Sequence, residues 1–327
     1  MRREAMMARR WTNGPAGERL AVSRRAAIRA SMPGSSERQR KTGRDDASPG
    51  RVRLGLTNIG WEPKDDTVVA ALMQRFGIDA LDVAPSRYFA DPEQTTDQAV
   101  DQVRRWWAER GIEIVGMQSL LFDAPAGMNL FGPPAVQQAM LDRLAAVCRI
   151  GAGLGARNLV FGSLRHRDRR GLSDVEAHEM ALDFFRRLAD IALQAGVTIC
   201  LEGVGTYYGA NYLTDTASSA ALVRELNHPA CALHLDTVTL HLNHEDIEGL
   251  LALHADRIAH VHACEIDLRP LGSVDGERAV PHASMGAAIR RYLPGRVVCL
   301  EVLTPAGQRP VDVLERSIRL ARIHYAR

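Results

Sequence analysis

Eight short apolar runs alternate with longer stretches of helical period between Arg51 and the C-terminus, which predicts an α/β chain folded as a (β/α)8 TIM barrel. Two further observations support that reading. Several helical stretches stop on a glycine just before the next apolar run, at Gly77, Gly111, Gly155 and Gly196. An open doubly wound sheet would carry a Gly-rich phosphate turn after its first strand, and "NIGWEPKDD" is not one.

In chain order the strands are "RLGLTNI", "IDALDVA", "IEIVGMQ", "RNLVFG", "VTICLEG", "CALHLD", "IAHVH" and "RVVCLE". Each is short and apolar, too brief to make a stable helix alone. Between them, stretches such as "VQQAMLDRLAAVCRIGAGLG" and "ALDFFRRLADIALQAG" repeat apolar residues at helical spacing. Strand followed by helix, eight times, is the parallel βαβ unit closed into a ring.

Residues 1–50 stand apart from this pattern. They hold 12 Lys/Arg against 5 Asp/Glu and little that can be buried, so a disordered Arg/Ser/Gly-rich tail is expected before a barrel spanning residues 51–327. The remainder holds 29 against 34, so a formal net charge of +2 conceals a mildly acidic folded part without a nucleic-acid footprint. No apolar stretch approaches the roughly 18–20 residues that span a bilayer, so no membrane partner is expected. The twin arginines Arg24 and Arg25 lack the apolar segment of an export signal. Five scattered cysteines (Cys148, Cys200, Cys231, Cys264, Cys299) form no CxxC pair and fit a reducing, cytoplasmic setting.

In such a barrel the chemistry lies at the carboxyl ends of the strands. Strands five to eight end on Glu202, Asp236, His262 and Glu301 in turn. Three carboxylates meeting at one barrel mouth repel each other, and a divalent cation removes that penalty. One imidazole with three carboxylates suits Mn²⁺, Mg²⁺, Co²⁺ or Zn²⁺, and hard oxygen ligands favour the first two. Capping of the following helix is the alternative role for each carboxylate. His260 shares a strand face with His262 but lies one pleat deeper, so it is expected in the core or behind a ligand. Further polar residues at strand ends are expected to line a pocket: Asn58, Gln118, Ser163, Tyr208, Asn211 and His282. "SLRHRDRR" after strand four reads as a solvated charge run, or as a phosphate grip through Arg165 or Arg167. Tyr207, Tyr208 and Tyr212 either shape a ligand-binding loop or pack the mouth.

The segments "RLGLTNIGW", "LDVAPSRYF", "GMQSLLF", "LVFGS", "ICLEGVGTYYGANYLTDTASSAALV", "HLDT", "HVHACEIDLRPLG" and "CLEVL" resemble the sugar phosphate isomerase/epimerase family of xylose isomerase-like TIM barrels. The resemblance implies four metal ligands, Glu202, Asp236, His262 and Glu301, with the two glutamates doubling as acid and base on opposite faces of a sugar or sugar phosphate. It also implies that Glu265, and more loosely Arg269, contact substrate, and it allows a homo-oligomer. One position departs from the ketose 3-epimerases: they carry a histidine three residues after the aspartate, where this chain has Thr239, and His241 lies two positions further on.

The chemistry expected is proton transfer beside a carbonyl, with a chelated cation stabilising the enediolate. One glutamate removes the proton; return to the opposite face gives epimerisation, return to the neighbouring carbon gives aldose–ketose isomerisation. A Schiff-base aldolase is excluded, because Lys41 and Lys64 are the chain's two lysines and Lys64 sits in a polar loop. The trinuclear-zinc endonuclease branch of the superfamily needs histidines at earlier strand ends, where this chain has "LDVAP" and "GMQS". The alternatives are a metal-dependent dehydratase of a polyol or keto-acid on the same barrel, or a non-catalytic sugar-binding barrel.

Overall fold

The computed structural model describes residues 52–326; the tail expected to be disordered, residues 1–50, lies outside them. Eight parallel strands close into a barrel in sequence order: β1 Arg53–Thr57, β2 Ala80–Val83, β3 Glu113–Met117, β4 Asn158–Phe161, β5 Thr198–Glu202, β6 Cys231–Asp236, β7 Ile258–Ala263 and β8 Val297–Leu300. Around it run α1 Asp66–Phe76, α2 Asp97–Ala108, α3 Pro134–Leu154, α4 Asp174–Ala195, α5 Thr216–Leu226, α6 Thr237–Leu242, α7 Ile247–His254, α8 His282–Tyr292 and α9 Pro310–His324. Among the described residues no helix is long and apolar enough to cross a membrane.

Local chemistry accounts for the helix ends. Gly155 and Gly196 terminate α3 and α4 with φ of 85° and 73°, a left-handed conformation that costs glycine nothing. Ser173 opens α4 with a reciprocal capping box to Glu176. The outer faces of the strands pack apolar side chains against these helices; Phe161 of β4 meets Phe185 of α4 edge to face at 5.2 Å.

The barrel centre differs from the branched aliphatic filling usual for this fold. Asp82, Asn158, Cys200, His234, His260 and Cys299 sit there, with two glycines making the room. A Cβ on Gly55 would lie 2.7 Å from Cys299 Sγ, and one on Gly116 would lie 2.7 Å from Asp82 Oδ1. Asn158 Nδ2 donates to the Ala259 carbonyl on β7 at 3.2 Å, so a polar bridge crosses the interior. All five cysteines are buried and free.

Candidate active site

Ladder register sets the heights of the strand-end residues. Glu202 is level with His234, and Asp236 is level with His262. Glu301 follows β8 directly and extends its ladder, donating its N–H to the Ala263 carbonyl at 3.0 Å. All four are buried: Glu202 is 5% exposed, Asp236 1%, His262 1% and Glu301 2%.

The structure links the three carboxylates through two overlapping groups and joins His262 to them through Glu301. Ligating atoms of Glu202, His234 and Asp236 lie within 4.8 Å of one another, as do those of Asp236, Cys264 and Glu301. Asp236 belongs to both groups and joins the β5 side to the β8 side. His262 Nδ1 stands 3.8 Å from Glu301 Oε2. That nitrogen is buried and makes no hydrogen bond. A buried imidazole nitrogen that makes no hydrogen bond and stands beside one of three buried carboxylates is a donor a divalent cation can use. The residues fit such an ion.

Each side chain is held by its neighbours. Glu202 lies over Gly162, where a Cβ would sit 1.7 Å from Glu202 Oε2. Its backbone carbonyl accepts from Arg167 Nη1 at 2.6 Å. Asp236 does cap a helix: its Oδ1 accepts from the N–H groups of Val238 and Thr239 at 2.8 and 3.1 Å at the start of α6. The Cys264 thiol donates to the same oxygen at 3.1 Å. Capping and metal binding are compatible, because a carboxylate carries two oxygens.

Beneath His262 is a group that the reading of strand ends passed over. Asp82, on β2, accepts from His262 Nε2 at 2.7 Å and from His260 Nε2 at 2.8 Å through one oxygen. Burial alone would raise its carboxyl; the charge and hydrogen bonds of His260 and His262 outweigh that and hold it at about 2. His234 completes an imidazole cluster, its ring centroid 4.4 Å from that of His262 and 5.4 Å from that of His260. The signal for His234 was in the sequence: "HLD" repeats the two-residue step of "HVH", so His234 shares the face of Asp236 as His260 shares that of His262. Asp82 was visible only as a carboxylate inside an apolar strand.

Above the carboxylates opens a cleft lined by Glu202, Glu301, Gln118, Ser163, Leu120 and Phe122 among others. Gln118 and Ser163 therefore line this cleft. Gln118 Nε2 is buried without a hydrogen-bond partner, and Ser163 Oγ pairs with His166 Nδ1 at 2.5 Å.

Five other residues expected to bind substrate face elsewhere. Asn58 Oδ1 accepts the Ala84 N–H at 2.7 Å and clasps the ends of β1 and β2. Glu265 accepts from the Gly272 and Val280 N–H groups and pairs with His282 Nε2 at 3.1 Å. His282 turns its other nitrogen to Tyr325 at 2.7 Å. Tyr208 accepts the Asp267 N–H at 3.0 Å. Arg269 is exposed and lines a separate hollow with Gln308 and Arg316. Asn211 likewise bonds Asp168, at 2.7 Å. Nor is "SLRHRDRR" a solvated run: His166 and Arg167 are buried, while exposed Arg165 donates to the Phe122 carbonyl. Of the tyrosines, Tyr212 stacks edge-on against Phe131. Thr239 gives its hydroxyl to the Gly203 carbonyl at 2.9 Å, and His241 is half-buried on α6.

Comparison with known proteins places this geometry in context. An L-ribulose 3-epimerase of Methylomonas sp. (strain DH-1) is 31% identical over 106 residues, which is 32% of this chain and 35% of that protein. The match thus spans about a third of that relative's length. A D-psicose 3-epimerase from Clostridium cellulolyticum H10, solved with D-tagatose, superposes with a TM-score of 0.66 at 18% identity, covering 83% of this chain and 96% of that one. A 3-keto-D-glucoside 4-epimerase from E. coli superposes with a TM-score of 0.67 at 14% identity, covering 84% and 100%. At these identities the superpositions establish a shared fold. Residues 70–322 match the family described as the xylose isomerase-like TIM barrel, and the chain is a member of that family.

Proposed function

We propose that this protein is an isomerase acting on a ketose or ketose phosphate, a sugar epimerase or aldose–ketose isomerase that needs one divalent cation. The observation that carries the reading is the buried set Glu202, Asp236, His262 and Glu301, with His262 Nδ1 free of hydrogen bonds and 3.8 Å from Glu301. These four residues would hold the ion, with Mn²⁺ or Mg²⁺ favoured by the three carboxylates and Co²⁺ or Zn²⁺ as alternatives. When bound, the cation supplies positive charge where an enediolate oxygen develops.

The chain's own residues do the rest. Glu202 and Glu301 both border the cleft, from β5 and β8, so a sugar carbon lying between them meets a carboxylate on each side. One takes the proton from the carbon beside the carbonyl, and the other returns a proton to the opposite face. Gln118 offers a buried N–H to a substrate oxygen, and Ser163, oriented by His166, offers a hydroxyl group. Apolar Leu120, Leu121 and Phe122 close one wall and limit water around the reacting carbon. The relatives named as ketose epimerases support this substrate class.

The test has two stages. Metal content of protein purified without chelator is measured beside an Asp236→Asn variant. Ketoses and ketose phosphates are then screened for deuterium incorporation from heavy water, with Glu301→Gln as the control. About one ion per chain, lost in Asp236→Asn, and exchange abolished in Glu301→Gln are expected. No ion after reconstitution, or full turnover by Glu301→Gln, overturns the reading.

A further inference from the structure

The barrel interior contains a charged group that the proposed chemistry leaves without a task. Asp82 is fully buried on β2, and one of its oxygens takes both imidazole contacts, from His260 and His262 of β7, across nearly 180 residues of chain. Its other oxygen, Oδ1, has no hydrogen-bond partner. Gly116 on β3 keeps space for this arrangement, since a Cβ there would come within 2.7 Å of Oδ1 and 3.1 Å of His260 Cε1.

A carboxylate oxygen only accepts, so each ring nitrogen touching it carries hydrogen. His262 is thereby fixed with hydrogen on Nε2, which leaves Nδ1, the nitrogen that faces Glu301 at 3.8 Å, as the one that can present a lone pair to a cation. We infer that Asp82 is a positioning residue for the metal site: it holds hydrogen on His262 Nε2 and aims Nδ1 at Glu301. His260, sharing the same oxygen, holds Asp82 in place from below. The inference rests on the metal-dependent reading above and adds to it which nitrogen ligates and what orients it. Loss of such an outer partner typically lowers metal affinity 10–100-fold, because the ring is then free to rotate or to carry its proton on the wrong nitrogen.

Two measurements test it. Long-range proton–nitrogen spectra of the imidazoles in the unsubstituted apo-protein should show His262 with hydrogen on Nε2; a neutral ring with its hydrogen on Nδ1 overturns the inference without any variant. Mn²⁺ affinity by calorimetry is then compared between the unsubstituted chain and Asp82→Asn, each at a temperature where its own melting curve shows it folded. A 10–100-fold weaker Mn²⁺ affinity in folded Asp82→Asn supports positioning. Equal affinity with a lowered melting temperature makes Asp82 purely structural and overturns it. Gly116→Ala, which retains every polar group but crowds Asp82, should weaken Mn²⁺ in the same direction. If the unsubstituted protein takes up no Mn²⁺, the metal-dependent reading itself fails, and that outcome is distinct from a loss confined to the variants.

Discussion

An alanine at position 162 would place a methyl carbon 1.7 Å from Glu202 Oε2 and 2.8 Å from its Cδ. Ordinary contact begins near 3.4 Å, so the carboxylate must retreat by about 1.7 Å, the difference between those distances. The backbone at Gly162 does not have a positive φ, so alanine adds no conformational strain. Glu202 Oε2 is the far end of a flexible side chain, so the fold can yield there at small cost. Catalysis cannot: displacing a reacting group by about 1 Å costs on the order of 10²-fold. Gly162→Ala should therefore lower kcat for solvent-deuterium exchange into an active ketose about 10²-fold, while shifting the melting temperature by only a few degrees. Glu202→Gln, which removes the base without moving it, gives the reference loss. Wild-type turnover by Gly162→Ala, with the carboxylate shown displaced in a crystal structure, would refute the assignment of Glu202 to proton transfer.

Metal should couple to stability: an ion at 100 times its Kd adds about 2.7 kcal/mol, or roughly 5–10 °C in melting temperature for a domain this size, and Asp236→Asn should abolish the shift. Asp66 gives a pH signature. Burial pushes its carboxyl up to about 6, with hydrogen bonds from Trp61 and Tyr88 pulling the other way. The folded chain therefore keeps this proton between about pH 4 and 6 where the unfolded chain has released it, and stability should fall as pH rises through that window. Asp66→Asn should flatten that slope in melting curves taken from pH 4 to 7. The thiols should be inert in the folded protein, since burial pushes Cys148 and Cys231 up to about 12; titration with a disulfide reagent at pH 8 should count none before unfolding and five after.

The barrel was legible because its signals are local. Alternating apolar runs and helical stretches need only neighbouring residues to be read, and Gly155 or Gly196 ends a helix through its own backbone freedom. The residues at the ends of β5 to β8 were legible for a related reason: in parallel strands that share one direction, the last residue of each run must arrive at the same rim. Sequence alone therefore determined the ring and the convergence of Glu202, Asp236, His262 and Glu301. Tertiary structure decided what lies beneath and around them. Asp82 meets His262 only because β2 and β7 face each other across the closed barrel, a contact that no local pattern encodes. Glu265 and His282 sit where strand-end logic would aim them at substrate, yet the loop after β7 folds back so that its own Gly272 and Val280 N–H groups claim the carboxylate. The buried Val280 N–H must find an acceptor, and in that loop the acceptor is a side chain that sequence had assigned to the pocket.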